Sequence, residues 1–175
     1  MTAILSPAIR SPATTTPYDV GLPVLRAVLG VIMTVHGTQK LFGWFDGPGL
    51  RGTGVFFDRA GYPAGETMAA VAGLTETLGG LGLILGLLTP LAAASVVGVM
   101  LNAITVKWTG SVFGQKGVEF ESLIVAAAIT LALTGPGRFA LDQGVPFLRR
   151  HRPVHGLAAL ALAAVLAAVA LLLRH

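Results

Sequence analysis

The stretch MAAVAGLTETLGGLGLILGLLT, Met68 to Thr89, decides the fold of this chain. It is apolar throughout and long enough to cross a bilayer, yet it carries one carboxylate, Glu76, near its middle. A charge at that depth costs roughly 2.5–3.5 kcal/mol even on insertion scales, so Glu76 must face protein or water rather than lipid. Similar runs lie on either side of it. Five spans are expected: about Val20 to Trp44, Met68 to Thr89, Leu91 to Lys107, Val118 to Thr134 and Gly156 to Leu173. Pro23 is tolerable in an opening turn, and Gly135-Pro136-Gly137 closes the fourth span. The third and fourth are near the lower length limit.

Composition agrees. The chain has 175 residues, 54% hydrophobic and 11% charged, outside the range of soluble domains. A net charge of +4 with dispersed basic residues argues against nucleic-acid binding. With no cysteine, disulfides, thiolate catalysis and iron–sulfur ligation are excluded for this chain. The fold class expected is an all-α integral membrane protein, a four-helix bundle with an additional C-terminal helix. Residues 1–17, rich in Ser, Thr and Pro, read as a disordered tail. Residues 18–142 form the membrane domain, 143–155 a basic linker and 156–175 the last helix. The loop from Phe45 to Glu66, with Phe56, Phe57 and Tyr62, suits an interfacial helix or a lid. Basic residues divide almost evenly between the two sides. The Arg149, Arg150, Arg152 cluster favours an inside N-terminus.

In an up-down bundle, the end of span one, the start of two, the end of three and the start of four share a side. There lie His36, Gln39 and Lys40, then Glu76, then Asn102 and Lys107, then Glu119 and Glu121. The other half holds little beyond Arg26. A single polar vestibule, closed at its far end, follows. Arg26, Gly30, Met33, Gly37 and Lys40 line up along one helix, and Gly73, Glu76, Gly80 and Leu83 along another; small residues at such spacing allow close backbone approach.

Each residue also has a structural reading. Lys40 and Lys107 are cations at helix C-termini, and Glu119 and Glu121 anions at a helix N-terminus, where the dipole favours them. Glu76 could pair with Lys40 or Lys107 and hold register. His36 lacks the company a metal or haem ligand set requires, and Asn102 suits a helix-to-helix hydrogen bond. Arg26 could meet headgroups or a substrate anion. Trp44 and Trp108 suit interface anchors.

At these residues the chain resembles the DoxX family of small bacterial membrane proteins. The similarity runs from about Val20 to Asp142: Leu25-Arg26, His36-Gly37-Thr38-Gln39-Lys40-Leu41-Phe42-Gly43, Gly61-Tyr62-Pro63, Glu76 through Leu83, Gly86 through Pro90, and Gly117-Val118-Glu119-Phe120-Glu121. The resemblance implies a four-helix bundle in the cell membrane and an association with redox work, including quinone reduction in thiosulfate oxidation. On that reading the vestibule binds a quinone or similar hydrophobic molecule. Arg26, His36, Gln39, Lys40, Asn102, Lys107 and Glu119 are candidate ligand contacts, and Glu76 with Glu121 a proton relay. No intrinsic cofactor or metal is expected, so electrons would come from a partner oxidoreductase subunit and the chain would not be catalytic alone. The rival readings are a small-solute permease and a scaffold holding a soluble oxidoreductase through Arg149 to His155. The fifth span departs from the four-helix pattern. Its Ala159, Ala163 and Ala167 stripe points to packing on another helix, or to a homo-oligomer.

Overall fold

The computed structural model describes residues 15–175. Residues 1–14, most of the expected tail, lie outside it. Six α-helices follow: α1 Pro17–Phe42, α2 Gly49–Arg59, α3 Gly65–Leu85, α4 Thr89–Lys107, α5 Glu119–Thr134 and α6 Pro153–Leu172, with a short 3-10 turn at Leu141–Gly144. Four of them (α1, α3, α4 and α6) are long and apolar enough to span a membrane. The fourth expected span, α5, has 16 residues. At 1.5 Å per residue that is about 24 Å, less than the roughly 30 Å of a bilayer core. It nonetheless completes the bundle: α1 packs on α3, α3 on α4, α4 on α5 and α5 back on α1, while α6 lies outside against α4 and α5. The fold is an all-α membrane bundle with one added C-terminal helix.

The α1–α3 contact is the most extensive, and glycine makes it so. A Cβ on Gly37 would fall 2.6 Å from the Gly73 carbonyl oxygen, and one on Gly30 2.6 Å from that of Gly80. Both helices therefore repeat glycine every seven residues and meet antiparallel, backbone to backbone. Beside this seam the interior fills with Met33, Leu83, Val96, Ala128 and Leu131. These come from the middle of α1, the first part of α4 and the last parts of α3 and α5, so one half of the bundle is solidly packed.

That closed half is locked by groups from distant sequence. The Arg26 guanidinium donates to the carbonyls of Pro136 and Phe139, both at 2.5 Å. Buried Asp142 accepts the backbone N–H groups of Leu88 at 2.7 Å and Thr89 at 3.0 Å, capping the start of α4. It thereby holds Leu88 at φ 49°, a left-handed conformation that leucine adopts only under constraint. His151 Nε2 lies 3.0 Å from the Leu133 carbonyl. Residues 136–142 are thus held against the bundle, and His151 ties the expected basic linker to the end of α5.

At the other end, α1 stops at Phe42 rather than Trp44, where Gly43 turns into the left-handed region at φ 73°. Helix α2 then lies across the ends of α1 and α3, as the aromatic content of that loop led one to expect. Trp44 and Trp108 are both exposed just beyond helix ends. Ala163 and Ala167 on α6 are buried, with Ala163 against Gly98 of α4, so the alanine stripe packs within the chain.

Candidate functional site

Beneath α2 lies a cavity of about 830 Å³ that draws on every helix. Helix α1 contributes His36, Gln39 and Lys40; α3 contributes Ala72, Thr75 and Glu76; α4 contributes Ser95, Gly98, Asn102 and Lys107; α5 contributes Phe120 and Glu121. Thr53, Phe56, Phe57 and Tyr62 roof it, and residues of α6 from Ala159 on, with Leu173 just past its end, form a wall. Most of this lining is apolar, with the ionisable groups gathered at the α2 end.

Two ion pairs organise that end. Lys40 Nζ donates to Glu76 Oε2 at 2.6 Å, tying α1 to α3. Glu76 is 1% exposed and Lys40 27%, so the carboxylate is sealed in while the ammonium reaches the cavity. That ammonium also lies 3.4 Å from the His36 carbonyl. Lys107 Nζ donates to Glu121 Oε1 at 2.5 Å, tying α4 to α5, with Glu121 7% and Lys107 57% exposed. Each pair buries its acid and presents its base. The long lysine stems let each ammonium reach the cavity while the shorter acid stays buried.

The neutral polar groups form a second set. The Tyr62 hydroxyl donates to Asn102 Oδ1 at 2.9 Å, and Asn102 Nδ2 donates to the Gly98 carbonyl at 3.1 Å and that of Ala167 at 3.4 Å. One amide thus joins the α2–α3 turn, α4 and α6. Burial pushes the Tyr62 phenol up, against the smaller downward pull of Arg174, so it remains a proton-bearing donor. Its ring packs against Phe57 with centroids 5.1 Å apart, and Arg174 sits over it at 5.4 Å. Arg174 Nε also donates to the Ala60 carbonyl at 2.9 Å, and the His175 N–H to that of Gly61 at 3.0 Å. The end of α6 therefore pins the turn that covers the site.

Of the residues singled out from sequence, His36, Gln39, Lys40, Glu76, Asn102, Lys107 and Glu121 converge on this cavity. His36 presents its ring edge to Phe120 at a centroid distance of 6.0 Å. Gln39 lines the wall and also donates to the Phe45 carbonyl at 3.1 Å. Two residues lie elsewhere. Arg26 belongs to the lock at the closed half, its Nη1 and Nη2 directed at carbonyls and its buried Nε without a hydrogen-bond partner. Exposed Glu119 turns outward and accepts the Gly114 N–H at 3.0 Å, fixing the loop before α5. Tyr62 was missed as a contributor, although Gly61-Tyr62-Pro63 marked the turn that carries it. Among the described residues no three His, Asp or Glu side chains gather as a metal site would require.

The sequence that builds this site is similar to known proteins. The DoxX family model fits residues 21–109. The chain belongs to the DoxX family. A second model, described as the TQO small subunit DoxD, fits residues 66–167 and so extends into α6. Among relatives, the Bacillus subtilis protein named "Putative oxidoreductase CatD" is 34% identical over 129 residues, covering 73% of this chain and 89% of that one. An uncharacterized membrane protein of Mycobacterium tuberculosis is 30% identical over 131 residues, covering 68% of this chain and 77% of that one. No solved structure matches. Family membership and the apolar helices together establish a multi-pass membrane location for this DoxX protein.

Proposed function

We propose that this DoxX protein is a redox-associated membrane subunit whose cavity binds a quinone, with the head at the α2 end. The observation that carries this reading is the partly exposed Lys40 ammonium. It is held by a sealed carboxylate and faces a mostly apolar cavity of about 830 Å³. Such a site offers a strong donor to a carbonyl oxygen without offering net charge. The match to a family described by the DoxD subunit, and the relative named as an oxidoreductase, support the redox part.

A bound quinone would accept electrons from a partner oxidoreductase and protons at its carbonyl oxygens. Lys40 would orient the near carbonyl, and Glu76 would hold Lys40 in place and supply a proton path. Asn102 and Tyr62 stand ready as polar contacts for the rest of the head. Lys107 and Glu121 extend the ionisable surface toward the exposed mouth, where Lys107 meets water. The packed half behind Met33 and Leu83, with the Arg26 lock beyond it, weighs against a permease, which needs to open on both sides.

The test must separate fold from function, because Glu76 also holds α1 to α3. The Lys40→Met/Glu76→Gln double variant removes both charges and keeps both volumes. It is expected to accumulate in the membrane like the wild type and to lose quinone-dependent turnover in the assembled complex. Turnover at the wild-type level in the double variant would rule the reading out.

A further inference from the structure

The polar end uses only part of the cavity. Helices α3 and α6 both pack on α4 without forming an interface with each other, which leaves a slot floored by α4. Thr75 lines one side, Ala159 and Leu162 the other, and Ser95 and Gly98 the floor. Small side chains at Ala159, Ser95 and Gly98 keep it open, and Leu162 stands exposed at its rim. From Asn102 to Leu91, both lining residues, the floor runs eleven positions, about 16 Å at helical rise. The total volume lies toward the upper end of what drug-sized ligands occupy, roughly 300–1,000 Å³.

We infer that the slot between α3 and α6 holds the apolar tail of the ligand and is its entry from the bilayer, so that the substrate class is a neutral-headed, lipid-tailed molecule. This rests on the quinone reading above and narrows it. Two observations argue for the ligand's own tail over a phospholipid chain. The slot and the polar end are one continuous cavity, so a single molecule with one polar head and one tail fits both. Lys40 is already neutralised by Glu76, and Lys107 by Glu121, which leaves donors without net charge. A phosphate placed there would bring a negative charge beside two carboxylates in a low-dielectric site, whereas a neutral carbonyl head brings none. The roof of Phe56, Phe57 and Tyr62, pinned by Arg174, also makes the side of the bundle the easier approach for a molecule dissolved in the membrane.

The probes are a benzoquinone without a tail and the same head carrying a decyl chain, titrated into detergent-purified full-length protein. Thr75→Trp fills the slot from α3, and Ala159→Trp from α6; because the two act from opposite walls, one misfolded variant leaves the other informative. Both variants are expected to weaken the decyl probe at least tenfold while binding the tail-less head within twofold of wild type. Partitioning of the probe into micelles is common to all proteins and cancels in that ratio. Equal behaviour of the two probes in both variants would overturn the inference and leave the quinone reading standing. A phospholipid retained by the wild type and lost from both variants, with decyl binding unchanged, would assign the slot to lipid and also overturn it. If the wild type binds neither probe, the quinone reading fails and the inference with it.

Discussion

Removing one partner of the Lys40–Glu76 pair should destabilise the protein by an amount that depends on which charge remains. Lys40→Met leaves a carboxylate that is 1% exposed with its counterion gone. Breaking a buried pair in that way costs about 3–5 kcal/mol, and the partial access of water to this site places the loss near the bottom of that range. Glu76→Gln instead leaves an ammonium on a side chain 27% exposed, free to turn toward the cavity water. Its loss is about 1 kcal/mol. The double variant strands no charge and should lie within about 1 kcal/mol of wild type. For a chain of this size each kcal/mol moves a melting midpoint by roughly 2–4 °C. Thermal unfolding in micelles should therefore show Lys40→Met falling by about 6–12 °C, Glu76→Gln by about 2–4 °C, and the double variant recovering most of the deficit. A larger fall for Glu76→Gln than for Lys40→Met would refute the burial asymmetry. Strict additivity would refute the pairing itself.

Other substitutions probe the frame around the site. Lys107→Ala leaves the Glu121 carboxylate, 7% exposed, without its counterion, so its melting midpoint should also drop, though by less than that of Lys40→Met because Glu121 keeps more contact with water than Glu76. Gly37→Ala places a methyl against the Gly73 carbonyl and should sharply reduce the yield of folded protein, whereas Gly21→Ala, with nothing within 4 Å, should leave yield unchanged on gel filtration. Asp142→Ala uncaps α4 and deprives Arg26 of its nearby acid; a loss of about 1–2 kcal/mol is expected in thermal unfolding, coupled to that of Arg26→Ala rather than additive with it. Arg174→Ala frees the turn over the cavity, and hydrogen exchange at Gly61 and Tyr62 should quicken while the core of α4 stays protected.

Much of the site was legible in the chain because it depends on local spacing and alternation of direction. Helix periodicity put His36 and Lys40 on one face, and up-down connectivity brought Glu76, Asn102, Lys107 and Glu121 to the same end. The apolar cost of Glu76 demanded a partner and offered two lysines, but choosing between them needed the register that Gly30, Gly37, Gly73 and Gly80 impose on α1 and α3. What sequence did not reveal depends on contacts across long separations. Asp142 reaches back 54 positions to cap α4, and Arg26 reaches forward 110 to the Pro136 carbonyl. Nothing in either residue's own neighbourhood signals that partner. The role of α6 was half visible: its alanine stripe announced a packing face, but only the placement of that face on α4 makes its flank a wall of the cavity.

The central claim is that the α2 end of this cavity holds a quinone head, and native mass spectrometry with extraction of bound small molecules tests it most directly. Detergent-purified wild type should carry a quinone, and the folded Lys40→Met/Glu76→Gln variant should have lost it. A wild type that carries no quinone, or a double variant that retains one at the wild-type level, would contradict the account.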